Sequence, residues 1–486
     1  MPGIAEAFST ALRLHNSGDL ANAERIYREI LSVDPNHADS IHLLGVIAFH
    51  AGRPDVARQL IQHAVALNPA APEYYSNLGN VLKEAGTLEE AIGCYQRAIS
   101  LRPEFADAHY NLGNAFLQGD RLEEAVAAYR ESIRIRPDFL PVCVNIGNAL
   151  RSLGRVREAI GFYDKVHEGA ADFAEARWNR AIALLLSGEL AEGWDAYECR
   201  WNLERAKPRL RNFTQPAWDG SNAAGRRILL HAEQGFGDTI QFIRYAPMVA
   251  ALGARVIVEC QPELTKVASR IDGMVQVVPA GDALPEFDAH LPLLALPRIF
   301  RTTLKSVPSQ VPYLSADPAL ARQWTSRLPR RKGVLKVGLV WAGGTSDPKR
   351  DCSLAQLAAL ADAAPGAAFV SLQKGGAAAQ AASPPAHMTL LDVGGRLSEF
   401  ADTAAVISKL DLVISIDTSV LHLAGALGKP AWALLRYAPD WRWLLGRADS
   451  PWYPTMRLFR QTVPGAWQEP IGEMARALAQ LRKGDR

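Results

Sequence analysis

Residues 415–430 read "SIDTSVLHLAGALGKP" and place an acid and two hydroxyls at the end of an apolar run that begins at Asp411. The run 411–417 has the length and β-branched content of a buried strand, and small residues at helical spacing follow it at once. A strand that passes directly into a helix leaves the first N–H groups of that helix unpaired at its positive end, which makes an anion site. Thr418 and Ser419 fall at that end. Asp417 would repel an anion, so it is expected to accept hydrogen bonds from hydroxyl groups instead. Ala424, Gly425 and Ala426 are expected to let the helix press against the sheet. His422, one turn inside, reads either as a satisfied core histidine or as a ligand contact.

Outward from this seam, short apolar runs alternate with helical stretches. Strands are expected at 227–232, 254–260, 275–279, 335–341, 367–373, 411–417 and 431–435. Strands separated by helices imply right-handed crossovers and parallel sheets covered on both faces. The stretch 317–333, "DPALARQWTSRLPRRKG", interrupts the alternation and suggests a hinge between two doubly wound, Rossmann-like domains, 227–332 and 333–486. In such sheets ligands lie beyond the carboxyl ends of the strands.

Three further segments then fall at the same cleft. "HAEQGFGDTIQFIRYAP" follows the first strand, with Gly235 and Gly237 allowing a tight turn and Asp238 opening a helix. Asp238 reads as a helix cap or as a carboxylate able to take a proton from a hydroxyl. "WAGGTSDPKRDCSL" offers backbone N–H groups and hydroxyls at Gly343, Gly344, Thr345 and Ser346, with positive charge at Lys349 and Arg350. These suit a diphosphate held without a metal ion, or a solvated basic loop. "SLQKG" places Gln373 and Lys374 past a strand end, as a ligand contact or an ordinary loop. The tryptophans and tyrosine at 441, 443, 452 and 453 are expected in the core rather than on a nucleobase.

The first half is of another kind. Pro35, Pro69, Pro103 and Pro137 recur every 34 residues, and Tyr27, Tyr95, Tyr129, Tyr163 and Tyr197 keep the same register. Ala23, Ala57, Ala91, Ala125 and Ala159 keep it too, as do Gly18, Gly52, Gly86, Gly154 and Gly188, with Asp120 standing in once. That period and residue pattern is the tetratricopeptide signature, a helix–turn–helix unit that buries its apolar face only by stacking on neighbours. An all-α array over 1–203 is expected, followed by a basic, Pro- and Gly-rich connector at 204–226. Asn77, Asn111, Asn145 and Asn179 share the period on the first helix of each repeat. An amide donates and accepts, so this row could grip the backbone of an extended peptide, or it could bridge neighbouring repeats.

Composition narrows the classes. Lys and Arg number 53 against 51 Asp and Glu, a net charge of +2 that gives no reason to invoke nucleic acid. Cys94, Cys143, Cys199, Cys260 and Cys352 are scattered, without the paired spacing of a disulfide framework or a zinc site. The N-terminus lacks a signal-peptide pattern, and no apolar run reaches the roughly 18 residues needed to span a bilayer. A cytoplasmic protein without a transmembrane segment is expected.

"DTSVLHLAGALGKP", Asp417 to Pro430, resembles the shared stretch of the ADP-heptose:lipopolysaccharide heptosyltransferases, glycosyltransferase family nine. Gly237-Asp238 and "GTSDPKR" correspond to that family's early "G-D" and basic loop, and the likeness covers about 226 to 486. With the repeats, the chain resembles bacterial tetratricopeptide glycosyltransferases, and its asparagine row is similar to that of the O-linked N-acetylglucosamine transferases. The resemblance implies a GT-B fold and an inverting, metal-independent transfer from a nucleotide sugar, with no cofactor. It implies Asp238 as base, and donor contacts from Gly237, Thr345, Ser346, Lys349, Arg350, Gln373, Asp417, Thr418, Ser419 and His422. "KRDCSL" departs from the family's usual "K-R-W-P-L", which leaves Lys349 and Arg350 unranked. The first sheet domain is short for a lipid-sugar acceptor, so the repeats are expected to supply a protein acceptor. Two alternatives stand beside this: a silent adaptor with a relic cleft, and an enzyme for saccharide or lipid acceptors whose repeats serve oligomerisation.

Overall fold

The computed structural model describes residues 3–169, 173–273, 276–329, 333–344 and 348–484. The chain forms two compact units, Met1–Ala176 and Arg177–Arg486.

The first unit is a stack of antiparallel helix pairs. They are Ile4–Asn16 with Leu20–Val33, Ala38–His50 with Pro54–Leu67, Pro72–Glu84 with Leu88–Leu101, Ala106–Gln118 with Leu122–Ile135, and Leu140–Ser152 with Val156–Gly169. Each turn inside a pair needs one residue in the left-handed region. Glycine supplies it at 18, 52, 86 and 154, and Asp120 does so at φ 56°. Pro35, Pro69, Pro103 and Pro137 stand two residues past the second helix of the first four pairs and prevent its continuation.

Close approach within a pair depends on a glycine facing an aromatic ring. A methyl group on Gly79, Gly113 or Gly147 would lie 2.6, 2.5 and 2.4 Å from the rings of Tyr95, Tyr129 and Tyr163. Those tyrosines are buried, and their hydroxyls donate to Asn80, Asn114 and Asn148 at 2.8, 2.7 and 2.8 Å. Packing and polar satisfaction are thus solved by one residue pair per repeat.

The asparagine row is partly spent on the stack itself. Asn77 Nδ2 meets His42 Nε2 of the preceding repeat at 2.9 Å, and Asn145 Nδ2 donates to Asn114 Oδ1 at 3.0 Å. The bridging reading therefore holds at these two positions. Asn111 is half-buried on the same helix series, and Asn179 lies in the other unit.

The second unit begins earlier than the connector suggests. Helix Leu190–Tyr197 and the 3-10 turn Glu198–Asn202 belong to it, although both carry the repeat register. The reason is local: Trp194 is buried against Phe242, Trp441 and Trp452 of this unit rather than against another repeat. The connector is also not a free linker. Trp218 is buried, and its N–H donates to the carbonyl of His290 at 2.8 Å, extending a sheet edge.

Among the described residues, ten parallel strands form two sheets. β1 (Arg227–His231), β2 (Arg255–Cys260), β3 (Gln276–Pro279) and β4 (Ala289–Pro292) lie in the order β3-β2-β1-β4. β5 (Lys336–Val340), β6 (Ala368–Ser371), β7 (Leu390–Asp392), β8 (Leu412–Ile416), β9 (Ala431–Leu435) and β10 (Met456–Arg460) lie in the order β10-β9-β8-β5-β6-β7. β4, β7 and β10 are edge strands without a clear apolar run, which is why sequence patterning passes over them. Segment 317–333 carries helix Pro318–Thr325, capped by Asp317 and packed on helix Phe400–Ile407 of the second sheet. Among the described residues no helix is long and apolar enough to cross a membrane.

Gly113→Val is expected to destabilise the first unit by about 1–3 kcal/mol, because the Tyr129 ring has nowhere to withdraw. Urea unfolding followed by far-UV circular dichroism checks this, and an unchanged midpoint would refute the ring-against-glycine contact.

Candidate active site

Strand ends from both sheets of the second unit open onto one cleft of about 970 Å³. β1 delivers Gln234 to Asp238, β5 delivers Ala342 to Gly344, β6 delivers Gln373 to Gly375, β8 delivers Asp417 to Val420, and β9 leads to Asp440 and Arg442. Asp238 and Asp417, which the sequence places on different sheets, line the same space.

Asp238 sits at the third position of helix Phe236–Phe242. One carboxylate oxygen accepts the N–H of Gly235 at 2.9 Å, so the cap reading holds. The other oxygen takes the guanidinium of Arg442, which comes from the second sheet. Arg442 is buried, donates from Nη1 to Asp440 at 2.8 Å and from Nε to Gln241 at 2.8 Å, and covers the Trp441 ring at 4.1 Å. Burial pushes the Asp238 carboxyl up from its ordinary value, and Arg442 opposes the shift. The Asp238 side chain is 18% exposed and meets Arg442 at the cleft wall.

Helix Ser419–Ala426 crosses helix Phe236–Phe242 closely. A methyl group on Gly237 would lie 3.0 Å from His422 Cδ2, so Gly237 eases that approach, and it also lines the cleft. His422 is buried, meets the Tyr453 hydroxyl at 2.9 Å through Nδ1 and stacks on Trp443 with centroids 5.3 Å apart. Burial, with Arg442 and Arg244 adding, holds this imidazole well below its ordinary value, hence neutral. Nε2 stands 3.9 Å from Asp417 Oδ1, so His422 is a packed wall residue that backs the acid. Gly425 faces the Tyr453 ring, where a methyl group would come within 2.4 Å, and not the sheet as its small size suggests.

Thr418 caps this helix in extended conformation, its hydroxyl 3.0 Å from that of Ser415, and Ser419 and Val420 open the first turn toward the cleft. Burial raises the Asp417 carboxyl to about 6, with Asp440 adding and Arg442 and Arg350 opposing.

The basic loop separates its two cations. Arg350 lines the cleft, with its guanidinium lying over Gly343 so closely that a methyl group there would meet it at 2.4 Å. Lys349 is exposed and is not part of the lining. Thr345 and Ser346 lie outside the described residues. Gln373, expected to touch ligand, does not have an amide to offer. Its oxygen accepts the N–H groups of Trp341 and Ala342 at 2.9 Å each, and its nitrogen donates to the carbonyls of Ala342 and Lys374 at 2.9 Å each. It shapes the loop after β5 instead.

Trp441, Trp443, Trp452 and Tyr453 are buried, as expected of core aromatics. The charged residues between them were missed by sequence reasoning: Asp440 and Arg442 complete the site. The available signal was an arginine inside an aromatic, core-like stretch, where a charge survives only if paired. The rim adds Phe236 and Phe400, with centroids 5.0 Å apart, and the ion pair of exposed Lys266 with half-buried Glu399 at 2.6 Å. Among the described residues no group of three or more His, Cys, Asp or Glu side chains is placed to hold a metal.

Comparison with known proteins finds similarities in both halves. Residues 14–79, 106–139 and 142–173 match tetratricopeptide repeat families, and 79–120 match another repeat family of the same type. Residues 368–476 match glycosyltransferase family 9 (heptosyltransferase); the match spans β6 to β10 of the second sheet and leaves β1 to β5 outside it. Protein FlbA of Caulobacter vibrioides is 28% identical over 334 residues, covering 63% of this chain and 55% of its own length, so the chain spans about half of that relative. Among solved structures, MamA is 30% identical with a TM-score of 0.31, covering 33% of this chain and 94% of its own. PilF of Pseudomonas aeruginosa is 22% identical with a TM-score of 0.39, covering 42% of this chain and 92% of its own.

All eleven tryptophans lie after residue 176, so their fluorescence reports the second unit. Arg442→Met is expected to lower that unit's unfolding free energy by about 3–5 kcal/mol, the cost of leaving buried carboxylates unpaired. A loss under about 1 kcal/mol would show that water replaces the guanidinium.

Proposed function

We propose that this chain, a tetratricopeptide array followed by a glycosyltransferase family 9 domain, transfers a glycosyl group from a nucleotide sugar to a hydroxyl acceptor with inversion, and that the array holds a protein as acceptor. The observation that carries the reading is the meeting of Asp238, from one sheet, with Arg350, Asp417 and the open helix start at Thr418–Val420, from the other, in a single cleft. Inverting displacement needs this division of labour: a base on one side of the anomeric carbon and an anion holder on the other.

In the proposed step the acceptor oxygen attacks the anomeric carbon while its proton passes to the Asp238 carboxylate. The bond from that carbon to the diphosphate oxygen breaks, and its electron pair leaves with the diphosphate. The N–H groups at the start of helix Ser419–Ala426 and the guanidinium of Arg350 receive the growing negative charge. Asp417 accepts hydrogen bonds from the sugar hydroxyls. Arg442 holds Asp238 in place, and burial, which Arg442 opposes, raises the basicity of this carboxyl. The half-buried Asn111 and its periodic companions support peptide capture by the array, through the amide edges not used for bridging.

A thermal-shift screen of nucleoside diphosphates, followed by nucleotide release from the matching nucleotide sugar, tests the reading. Asp238→Ala is expected to lower turnover by about 10²–10⁴-fold. Turnover within about threefold of wild type would remove Asp238 from the mechanism, and absence of any nucleotide binding would favour an adaptor. Arg350→Met is expected to weaken diphosphate binding more than Lys349→Met, and equal effects would contradict the loop geometry.

Asp417 gives the reading a pH dependence. With its carboxyl near 6, it is neutral at pH 5 and anionic at pH 7.5, where it repels a diphosphate at the adjacent helix start. Asp417→Asn is expected to strengthen binding of ADP or UDP at pH 7.5 by on the order of tenfold, about 1.4 kcal/mol, and to change little at pH 5. Isothermal titration at both pH values checks this, and an equal effect at both would show that Asp417 does not titrate between them.

A further inference from the structure

The repeat register carries a residue into the second unit that no repeat there can use. In the array, Tyr95, Tyr129 and Tyr163 each donate to an asparagine of their own repeat, at 80, 114 and 148. One period later stands Tyr197, but the position of its asparagine is Ile182. The hydroxyl of Tyr197 instead accepts the amide N–H of Gln234 at 3.0 Å. Gln234 belongs to the loop between β1 and Asp238, and its carbonyl is held by Gln261 Nε2 at 2.7 Å. Gln261 in turn accepts from Thr239, the residue after Asp238, at 2.9 Å.

A second contact repeats the arrangement one turn on. Arg200 is buried and pairs with the equally buried Glu233 at 3.1 Å and with Glu198 at 2.6 Å. Trp194, on the same helix, sets its edge against Phe242, at the far end of the Asp238 helix, and against Trp441, beside Arg442. Tyr197 also meets Trp441, with centroids 6.3 Å apart. One repeat-derived helix therefore supports both partners of the Asp238–Arg442 pair.

We propose that Tyr197 is a positioning residue for the proposed base: its hydroxyl, released from the repeat pattern by the change to Ile182, fixes the Gln234–Asp238 loop, with Arg200 bracing the same loop through Glu233. Its effect on turnover rests on the glycosyl-transfer reading, whereas its effect on the loop does not. The last repeat is then part of the catalytic apparatus, and a catalytic unit cut at residue 204 would lose the support of its own base.

Two full-length variants separate this role from ordinary packing. Tyr197→Phe and Tyr163→Phe delete the same hydroxyl from the same register position. Hydrogen–deuterium exchange of the amides 233–242 is expected to quicken by about tenfold in Tyr197→Phe and to stay at the wild-type rate in Tyr163→Phe. With a nucleotide sugar that the wild type turns over, Tyr197→Phe is expected to lower kcat by about tenfold with the donor KM within about threefold, since the donor contacts lie on the other sheet. Unchanged exchange in Tyr197→Phe, or equal changes in both variants, would overturn the proposal. If the wild type turns over no nucleotide sugar, the glycosyl-transfer reading fails, and the exchange comparison still decides the role of Tyr197.

Discussion

Arg442 brings its guanidinium into a site nearly without water, where Asp238, Asp440 and the Gln241 amide meet it together. A buried cation with three oriented acceptors is held in one geometry, since losing any acceptor leaves charge exposed to a poor solvent. Asp238 and Gln241 belong to the first sheet and Asp440 to the second, so this one group fixes both sheets at the mouth of their shared cleft. Other ties follow the same line. Arg244 donates to the carbonyl of Trp452 at 2.7 Å and to the Tyr313 hydroxyl at 2.9 Å, and Gly237 lets the two facing helices touch. Alongside the hinge expected from sequence, packed helices and polar ties join the two sheets at the cleft.

Much of this was legible before any coordinates. The 34-residue period declared the array because four residue types share it; proline ends helices, glycine opens turns and tyrosine packs on the facing helix. The strand–helix alternation declared two parallel sheets, and the rule that ligands gather at carboxyl strand ends brought Asp238, Arg350 and Asp417 to one place. What stayed hidden depends on partners far along the chain. Gln373 looks like a polar residue offered to a ligand, yet its acceptors and donors are backbone groups about thirty residues earlier. Asp440 and Arg442 were masked by the tryptophans on either side, whose burial the sequence does predict. The edge strands β4, β7 and β10 carry proline, aspartate or arginine where an apolar run was sought.

The boundary of the array illustrates the same limit. Periodicity continues through Tyr197, so sequence alone assigns that helix to the repeats. Burial decides otherwise, because Trp194 meets Phe242, Trp441 and Trp452, and Tyr197 meets Trp441 as well as Trp178 of the preceding helix. A repeat motif specifies a helix and its register, but it does not specify which surface the last helix covers.

The central claim is that Asp238 and Arg442 act as a pair across the cleft, and a double-mutant cycle measures that directly. Unfolding free energies of the wild type, Asp238→Asn, Arg442→Met and the double variant, followed by tryptophan fluorescence, give their coupling. The structure predicts a coupling of about 2 kcal/mol or more. Additivity within about 0.5 kcal/mol would mean that the two side chains do not meet, and the account of the cleft would be contradicted.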